Sequence, residues 1–394
     1  MGNIKSSLTS GSPKDLALKL IKGKKTDNVV DDSLFPPEII IEILSWLPIE
    51  FSGRVMLVCK QWYALIQDRH FMEKQMSRAD KEFRKYVLCY ENDVSADSDN
   101  ENESFMHYYS TVYACDGLHL EKDRFKNKYR ICNPTTKRVL ELPDPHEGSH
   151  GIVFSYVPST SNYKFVSIYD DESSTECCEV FSVENDESSW RLLGMPTRDY
   201  PNRNRKKCSV VSTGDAVHCV RVIAIGAVMV EEVVSLDLGT EQFTVTNFPR
   251  GQYQSWEKVW PLNFMGKLAL VDRMEADLCV FVLEDYKKQK WSKRRPLIPS
   301  ASLKILEDMH GTISPYCFDQ SEMLWFWVKD RSMFLSYNVR AGKERGGYLY
   351  KKGYKLMEVM RPLQQSLVHL KGMQPEDKKS TQPPPLKDMQ PEDN

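Results

Sequence analysis

A degenerate repeat constrains this chain more than any other feature. Each copy runs from an apolar strand through a polar turn into a strand carrying Trp, Phe or a leucine–proline step. It reads NPTTKRVLELP from Asn133, VENDESSWRLL from Val183, LDLGTEQFTVTNFP from Leu236 and LEDYKKQKWSKRRPLIP from Leu283, with a weaker YNVRAGKERGGYLY from Tyr337. Anchored on Asn133, Glu184, Asp237, Glu284 and Asn338, the copies lie 51, 53, 47 and 54 residues apart. In two of them an aromatic falls six residues after the anchor, Trp190 and Phe243. Short β-branched and aromatic runs between turn clusters fill residues 83–370, the pattern of an all-β domain. A single unit of this kind cannot bury its apolar faces alone, so the units must pack on one another.

A period near fifty residues is that of kelch-type propeller blades, one four-stranded sheet per repeat. The span accommodates five to six such blades. A closed ring needs the first strand, over Tyr86–Tyr90, to pair with the last unit so that no edge stays open. Residues 33–78 break the β pattern. There FPPEIIIEILSWLP reads as a short helix opened by Pro36 and Pro37, with Glu38 and Glu42 supplying negative charge near its start. Ile39, Ile43 and Leu47 form one apolar row, Ile40 and Leu44 the next. Pro48 ends the helix, and a helical pattern resumes from Val58 to Asp68 with Trp62, Leu65 and Ile66. Ile41 and Trp46 fall outside the stripe, so one buried face cannot absorb every large side chain. A patch this small needs something to pack against, either a partner protein or the chain's own sheets.

The segment resembles the F-box, the motif by which substrate adaptors dock onto the Skp subunit of cullin–RING ubiquitin ligases. The resemblance rests on Pro37-Glu38-Ile39, Ile43-Leu44, Leu47-Pro48, Arg54, Val58-Cys59-Lys60, Trp62 and Leu65-Ile66 at ungapped family spacing, with Phe35 just ahead of them. It implies that these residues form the Skp-binding surface, with Ile39, Ile43, Leu44, Leu47, Pro48 and Trp62 as the apolar centre and Glu38 and Lys60 setting orientation at the rim. One stretch departs from the family pattern: Ile49-Glu50-Phe51-Ser52-Gly53 stands where plant members usually carry leucines. Gly53 within a short helix costs roughly 1 kcal/mol relative to Ala. The later strings Cys115-Asp116-Gly117-Leu118, Asn133-Pro134-Thr135-Thr136, Tyr163-Lys164-Phe165-Val166, Gly266-Lys267-Leu268-Ala269 and the Leu283 copy resemble the F-box-associated region of plant F-box proteins. Together the two resemblances imply an α + β multidomain chain. A small all-α F-box module precedes an all-β, kelch-like propeller that receives a protein substrate for ubiquitination. An adaptor of this kind acts by proximity, raising the effective concentration of substrate lysines near the charged conjugating enzyme. The alternative is a ligase-independent scaffold or inhibitor that sequesters its partner.

Composition narrows the remaining classes. A net charge of −2 over 394 residues gives no global field to favour nucleic acid. No apolar run reaches the roughly 18 residues that span a bilayer. Ten cysteines without a secretory signal read as reduced thiols of a cytoplasmic or nuclear protein. No spacing of Cys and His suggests a metal site, and no nucleophile elbow or phosphate-cradling loop is present. The expectation is a non-catalytic chain without cofactors.

Four other segments carry weaker signals. Met1-Gly2-Asn3-Ile4-Lys5-Ser6 fits the acceptor pattern for myristate on Gly2. With the lysines of residues 14–25 as a second signal, it would give peripheral membrane contact; otherwise residues 1–32 are a solvated basic leader. Residues 91–104 hold six carboxylates, as a solvated insertion or an acidic docking loop. The basic runs 198–207 and 287–295 lie in blade turns or serve nuclear import. Residues 371–394 read as a Pro-, Glu- and Lys-rich tail, in which Met373-Gln374-Pro375-Glu376-Asp377 recurs as Met389-Gln390-Pro391-Glu392-Asp393.

Overall fold

The computed structural model describes residues 36–376 apart from internal stretches, of which 92–108, 197–202, 250–258 and 349–354 are the longest. Residues 1–35, with Gly2 and Phe35, lie outside the described residues, as do most of the acidic segment and residues 377–394. The helical module comprises α1 (Pro37–Leu44), a 3₁₀ turn (Ile49–Phe51), α2 (Ser52–Val55), α3 (Lys60–Gln67) and α4 (Arg69–Glu82). Its last helix therefore runs past the expected boundary at residue 78.

A strand β1 (Lys85–Glu91) follows, and then five blades. Blade 1 holds β2 (Tyr109–Cys115), β3 (Leu118–Asp123), β4 (Tyr129–Asn133) and β5 (Arg138–Glu141). Blade 2 holds β6 (Ser149–Val157), β7 (Asn162–Asp170), β8 (Glu176–Ser182) and β9 (Arg191–Leu193). Blade 3 holds β10 (Arg203–Ser212), β11 (Ala216–Ile225), β12 (Val228–Asp237) and β13 (Phe243–Asn247). Blade 4 holds β14 (Val259–Phe264), β15 (Lys267–Arg273), β16 (Leu278–Asp285), β17 (Lys290–Trp291) and β18 (Arg295–Ile298). Helix α5 (Ser300–His310) leads to blade 5, with β19 (Ile313–Phe318), β20 (Met323–Val328), β21 (Met333–Asn338) and β22 (Lys343–Tyr348). Each blade is an antiparallel meander. The first strands of successive blades adjoin one another, β2 on β6, β6 on β10, β10 on β14 and β14 on β19, which makes them the inner ring of a propeller.

Ring closure differs from the expected pairing. β1 pairs with β23 (Lys355–Leu363) as a separate two-stranded sheet, and β23 adjoins β2. The chain's two ends thus meet beside blade 1 without adding a strand to blade 5. The domain is also not purely β: α5 buries Leu303 and Leu306 in the blade 4–blade 5 core. The basic run 198–207 is not confined to a turn either, because Arg203–Lys207 open β10.

The repeat anchors have a local cause. Asn133 Oδ1 accepts from the backbone N–H of Thr135, Asp237 Oδ1 from Thr240, Asp285 Oδ1 from Lys288 and Asn338 Oδ1 from Ala341. Four residues after each anchor the chain turns left-handed, at Lys137, Glu241, Gln289 and Gly342. An Asx-capped turn closed by a left-handed residue is a standard longer hairpin loop. It joins the third and fourth strands of blades 1, 3, 4 and 5. In blade 4 the cap is Asp285, one residue after the expected anchor Glu284. The aromatics six residues on also have a use: Trp190 Nε1 donates to Pro143 O (2.8 Å) and Trp291 Nε1 to Asn247 O (2.9 Å). Each ties the outer edge of its blade to the one before. Asp116-Gly117 and Met265-Gly266, both at positive φ, make the two-residue turns between first and second strands.

The tail is ordered further than expected. Met373 is buried among Leu118, Leu120, Ile131 and Leu370, and β24 (Gln374–Pro375) pairs with β5 as a fifth strand of blade 1. Its sequence reads as polar tail because only Met373 carries the apolar signal.

Candidate protein-docking site

The helical module has a closed core of its own. Ile40, Leu44, Leu47, Val55, Ile66 and Phe71 are buried together, with Leu367 from the C-terminal segment packed against them. Pro36, outside the first turn, and Pro37 within it set the start of α1. The helix stops at Leu44, sooner than the expected Leu47–Pro48. Ser45 caps it through Oγ to Glu42 O, and tight bonds from Trp46 N to Ile43 O and Leu47 N to Leu44 O turn the chain before Pro48. Helix α3 begins at Cys59, whose sulfur accepts from Trp62 N at 3.4 Å.

The expected docking residues divide by burial. Leu44, Leu47 and Ile66 face inward and hold the module together, so they are not open surface. Ile43, Pro48, Cys59, Trp62 and Leu65 are half-buried, while Pro37, Glu38, Arg54 and Lys60 are exposed. Among the described residues of the module the exposed large apolar side chains are Ile39 at 45%, Trp46 at 37%, Val58 at 57%, and two that sequence reasoning passed over, Leu57 at 86% and Tyr63 at 50%; the propeller exposes Leu192, Met265, Ile305 and Met309. Leu57 and Val58 occupy the turn between α2 and α3, and Tyr63 follows on α3. The exposure of Leu57 was hidden from periodicity, because a turn has no helical face to read; Tyr63 lies on the outer face of α3.

The stretch that departs from the family pattern lies largely inside the module. Ser52 is buried and accepts from Gln75 Nε2, which also donates to Leu47 O. Phe51 lies under the Arg54 guanidinium, 5.9 Å from ring centroid to Cζ. Glu42 is not a first-turn charge. It binds Lys74 and Arg78 of α4, and these bonds, the Lys74 one foremost, hold its carboxyl down at about 2.

Arg69, the first residue of α4, fastens the module to the propeller. Its guanidinium donates to Asp116 Oδ2 (2.8 Å) in the blade 1 turn and to Tyr163 OH (2.7 Å) in blade 2, and lies 3.9 Å from the Tyr156 ring centroid. Tyr163 donates to the same Asp116 oxygen at 2.8 Å. Burial and the Asp116 charge raise the Tyr163 phenol well above its usual value, while the surrounding anions raise Arg69. The three groups stand at sequence separations of 47 and 94 residues, so no local pattern announces them.

Elsewhere the blades are joined by buried polar links. Arg221 in β11 binds Glu176 of blade 2 and Glu232 of β12, all three nearly solvent-free. The thiols of Cys208 and Cys219 also approach Glu176, within 3.7 Å. Sequence spacing gave no hint of this cluster of metal-ligand types. Its carboxylate is already bound to a guanidinium, and burial together with the Cys208 bond pushes the Cys219 thiol well up, which favours the protonated form over a ligating thiolate. Lys164 and Arg191 bind Glu241 across blades 2 and 3, while Tyr286 and Lys287 bind Asp237 across blades 3 and 4. The second basic run thus serves inter-blade packing at Lys287.

Comparison with known proteins fits this geometry. Residues 33–74 match the F-box domain, and residues 56–345 match the F-box associated beta propeller domain. The chain belongs to the F-box-associated propeller family. The kelch-type expectation narrows accordingly to this class of propeller. Among curated relatives, the Arabidopsis thaliana F-box protein At1g47810 is 25% identical over 312 residues, covering 66% of this chain and 86% of that protein. F-box protein At5g18160 of the same plant is 25% identical over 321 residues, 76% of this chain and 80% of that one. The putative F-box protein At3g52320 is 26% identical over 311 residues, 70% and 76% of the two chains. This F-box protein is therefore a helical module followed by a five-bladed propeller, related to plant F-box proteins over most of its length.

Proposed function

We propose that this F-box protein is a non-catalytic substrate adaptor of a Skp–cullin–F-box ubiquitin ligase. Its helical module docks a Skp-family subunit, and its propeller holds a protein destined for ubiquitin transfer. The observation that carries the reading is the exposure of Ile39, Leu57, Val58 and Tyr63 on a module whose own core is already closed. Exposed large apolar side chains beside a packed core mark an interaction surface rather than a folding defect. The Arg69 junction adds a second support. An adaptor must hold its two binding surfaces in a defined relation if substrate lysines are to lie near the conjugating enzyme.

The second reading, a sequestering scaffold, starts from the departing stretch, in which Ser52 fills a buried hydrogen-bonding role. The test is titration calorimetry of the full chain against a purified Skp-family protein. Val58→Asp and Leu57→Asp should each weaken binding at least tenfold while leaving the melting temperature unchanged, as exposed positions allow. Unaltered affinity in both variants would move the docking surface elsewhere. Absence of binding by the unmodified chain would return the scaffold reading to the front.

A further inference from the structure

The tail carries two copies of one eight-residue string, sixteen residues apart. Leu370-Lys371-Gly372-Met373-Gln374-Pro375-Glu376-Asp377 recurs as Leu386-Lys387-Asp388-Met389-Gln390-Pro391-Glu392-Asp393, and only Gly372 and Asp388 differ. The first copy occupies a built groove on the outer edge of blade 1. Leu370 and Met373 insert into the core shared by blades 1 and 2. Gln374 and Pro375 lie in register with Val139 and Arg138 of β5. Glu376 takes an ion pair from Arg130 (2.9 Å), itself 5% exposed and also bound to Glu121 at 2.8 Å. The Glu376 N–H bonds to Lys137 O, and Arg138 Nη1 reaches Met373 O.

Every side chain that makes these contacts is present in the second copy. Leu386, Met389 and Glu392 reproduce the two apolar plugs and the carboxylate, and Gln390-Pro391 reproduces the strand. The single difference falls where it ranks the two copies. Gly372 sits at φ +88°, and a Cβ there would meet Leu140 Cδ1 at 3.3 Å. Aspartate at that position must adopt a left-handed backbone and press on Leu140.

We infer that residues 386–393 are an alternative occupant of the blade 1 groove in the same molecule, exchanging with residues 370–377. The tail is then a strand latch with two positions. In the resident position Gly372 relieves the turn. In the second position Asp388 takes its place and the chain between Val368 and Leu386, displaced Leu370 included, connects anchor and groove. Asn133 Nδ2 bonds to Ser366 O and Val368 O, and these anchors stand upstream of both positions, so exchange leaves them intact. The short tether keeps the second copy at high effective concentration near its own groove, above that of a copy on another molecule. Because Leu367 of the same segment packs on the helical module, the latch lies next to the junction between docking module and propeller.

Hydrogen exchange on the full chain, with sedimentation on the same samples, tests this. Asp388→Gly makes the copies equivalent and removes the left-handed penalty, so the second copy should hold the groove up to half the time and amides of 389–392 should exchange up to about twofold more slowly in a monomeric sample. Met373→Asp should hand the groove to the second copy, leaving the Val139 amide, which faces the tail strand, protected. Adding Met389→Asp to that variant should then abolish that protection. Unchanged exchange at 389–392 in Asp388→Gly would overturn the inference. So would slowing that appears only in a dimer, or equal loss at Val139 in the single and double Met→Asp variants.

Discussion

The helical module and the propeller bury apolar surface in different proportion: the small module exposes Ile39, Trp46, Leu57, Val58 and Tyr63, the much larger propeller Leu192, Met265, Ile305 and Met309. Each blade buries apolar side chains against its neighbours, so residues such as Phe154, Phe165, Phe281 and Phe326 are solvent-free. The module closes a core around Leu44, Leu47 and Ile66 but leaves Ile39, Leu57, Val58 and Tyr63 outside. Blades 2, 3 and 4 each have a neighbouring blade on both sides. Four short helices against one edge of the ring have partners on one side only. The difference points to where binding and stability reside: substitutions expected to unfold the propeller fall on its interior, mostly apolar with some buried polar groups such as Arg221, whereas those expected to silence the module without unfolding it are apolar and exposed.

The sharpest way to break the comparison is to attack the propeller through a charge. Arg221→Met strands Glu176 and Glu232 in the interior, and removing one partner of a buried ionic group costs about 3–5 kcal/mol. Urea unfolding should register this loss, and a change below about 1 kcal/mol would mean the blade 2–blade 3 seam tolerates the unpaired carboxylates. Within the module, Leu47→Ala should cost about 2–5 kcal/mol as a cavity-forming change. Leu57→Asp should stay within about 0.5 kcal/mol. Equal costs at these two positions would erase the distinction between core and docking surface.

Acid separates the regions along another axis. Burial pushes the His218 imidazole of blade 3 down to about 3 from its ordinary 6.5. The unfolded chain therefore binds a proton that the folded propeller refuses, and stability falls as pH drops from 6.5 toward 3. Glu42 in the module is held at about 2 against an ordinary 4.5, so its contribution is complete above 4.5 and fades only below that. Hydrogen exchange at stepped pH should show β11 loosening before α1. Loosening of α1 first would contradict both assignments. The smallest effect belongs to the repeated turn: Gln289→Gly relieves a left-handed residue and should gain about 1 kcal/mol, read as a higher melting temperature.

Much of the architecture was legible in the chain. The recurring Asn or Asp anchors are visible because the turn they cap is made by residues two to four positions away. The blade period follows from the same turns, and the start of α1 follows from Pro36 and Pro37. The helix α5 was missed because Leu303 and Leu306 are few and sit between two strand patterns. Leu57 was missed because exposure in a turn has no periodicity, and Tyr63 because it falls outside the apolar stripe of α3.

By itself, then, the amino-acid order determined the series of local units: a helical module, then hairpins of fixed turn chemistry repeated until a ring could form. These depend on interactions within a few residues, where spacing is information enough. Tertiary structure alone decided which leucines of the module face inward. It also brought Arg69 to Asp116 and Tyr163, placed Arg221 between two carboxylates, and laid Met373–Glu376 along blade 1. Those groups lie tens to hundreds of residues apart, and a contact of that kind exists only once the intervening chain has closed its loop and buried the charge or the side chain in one place.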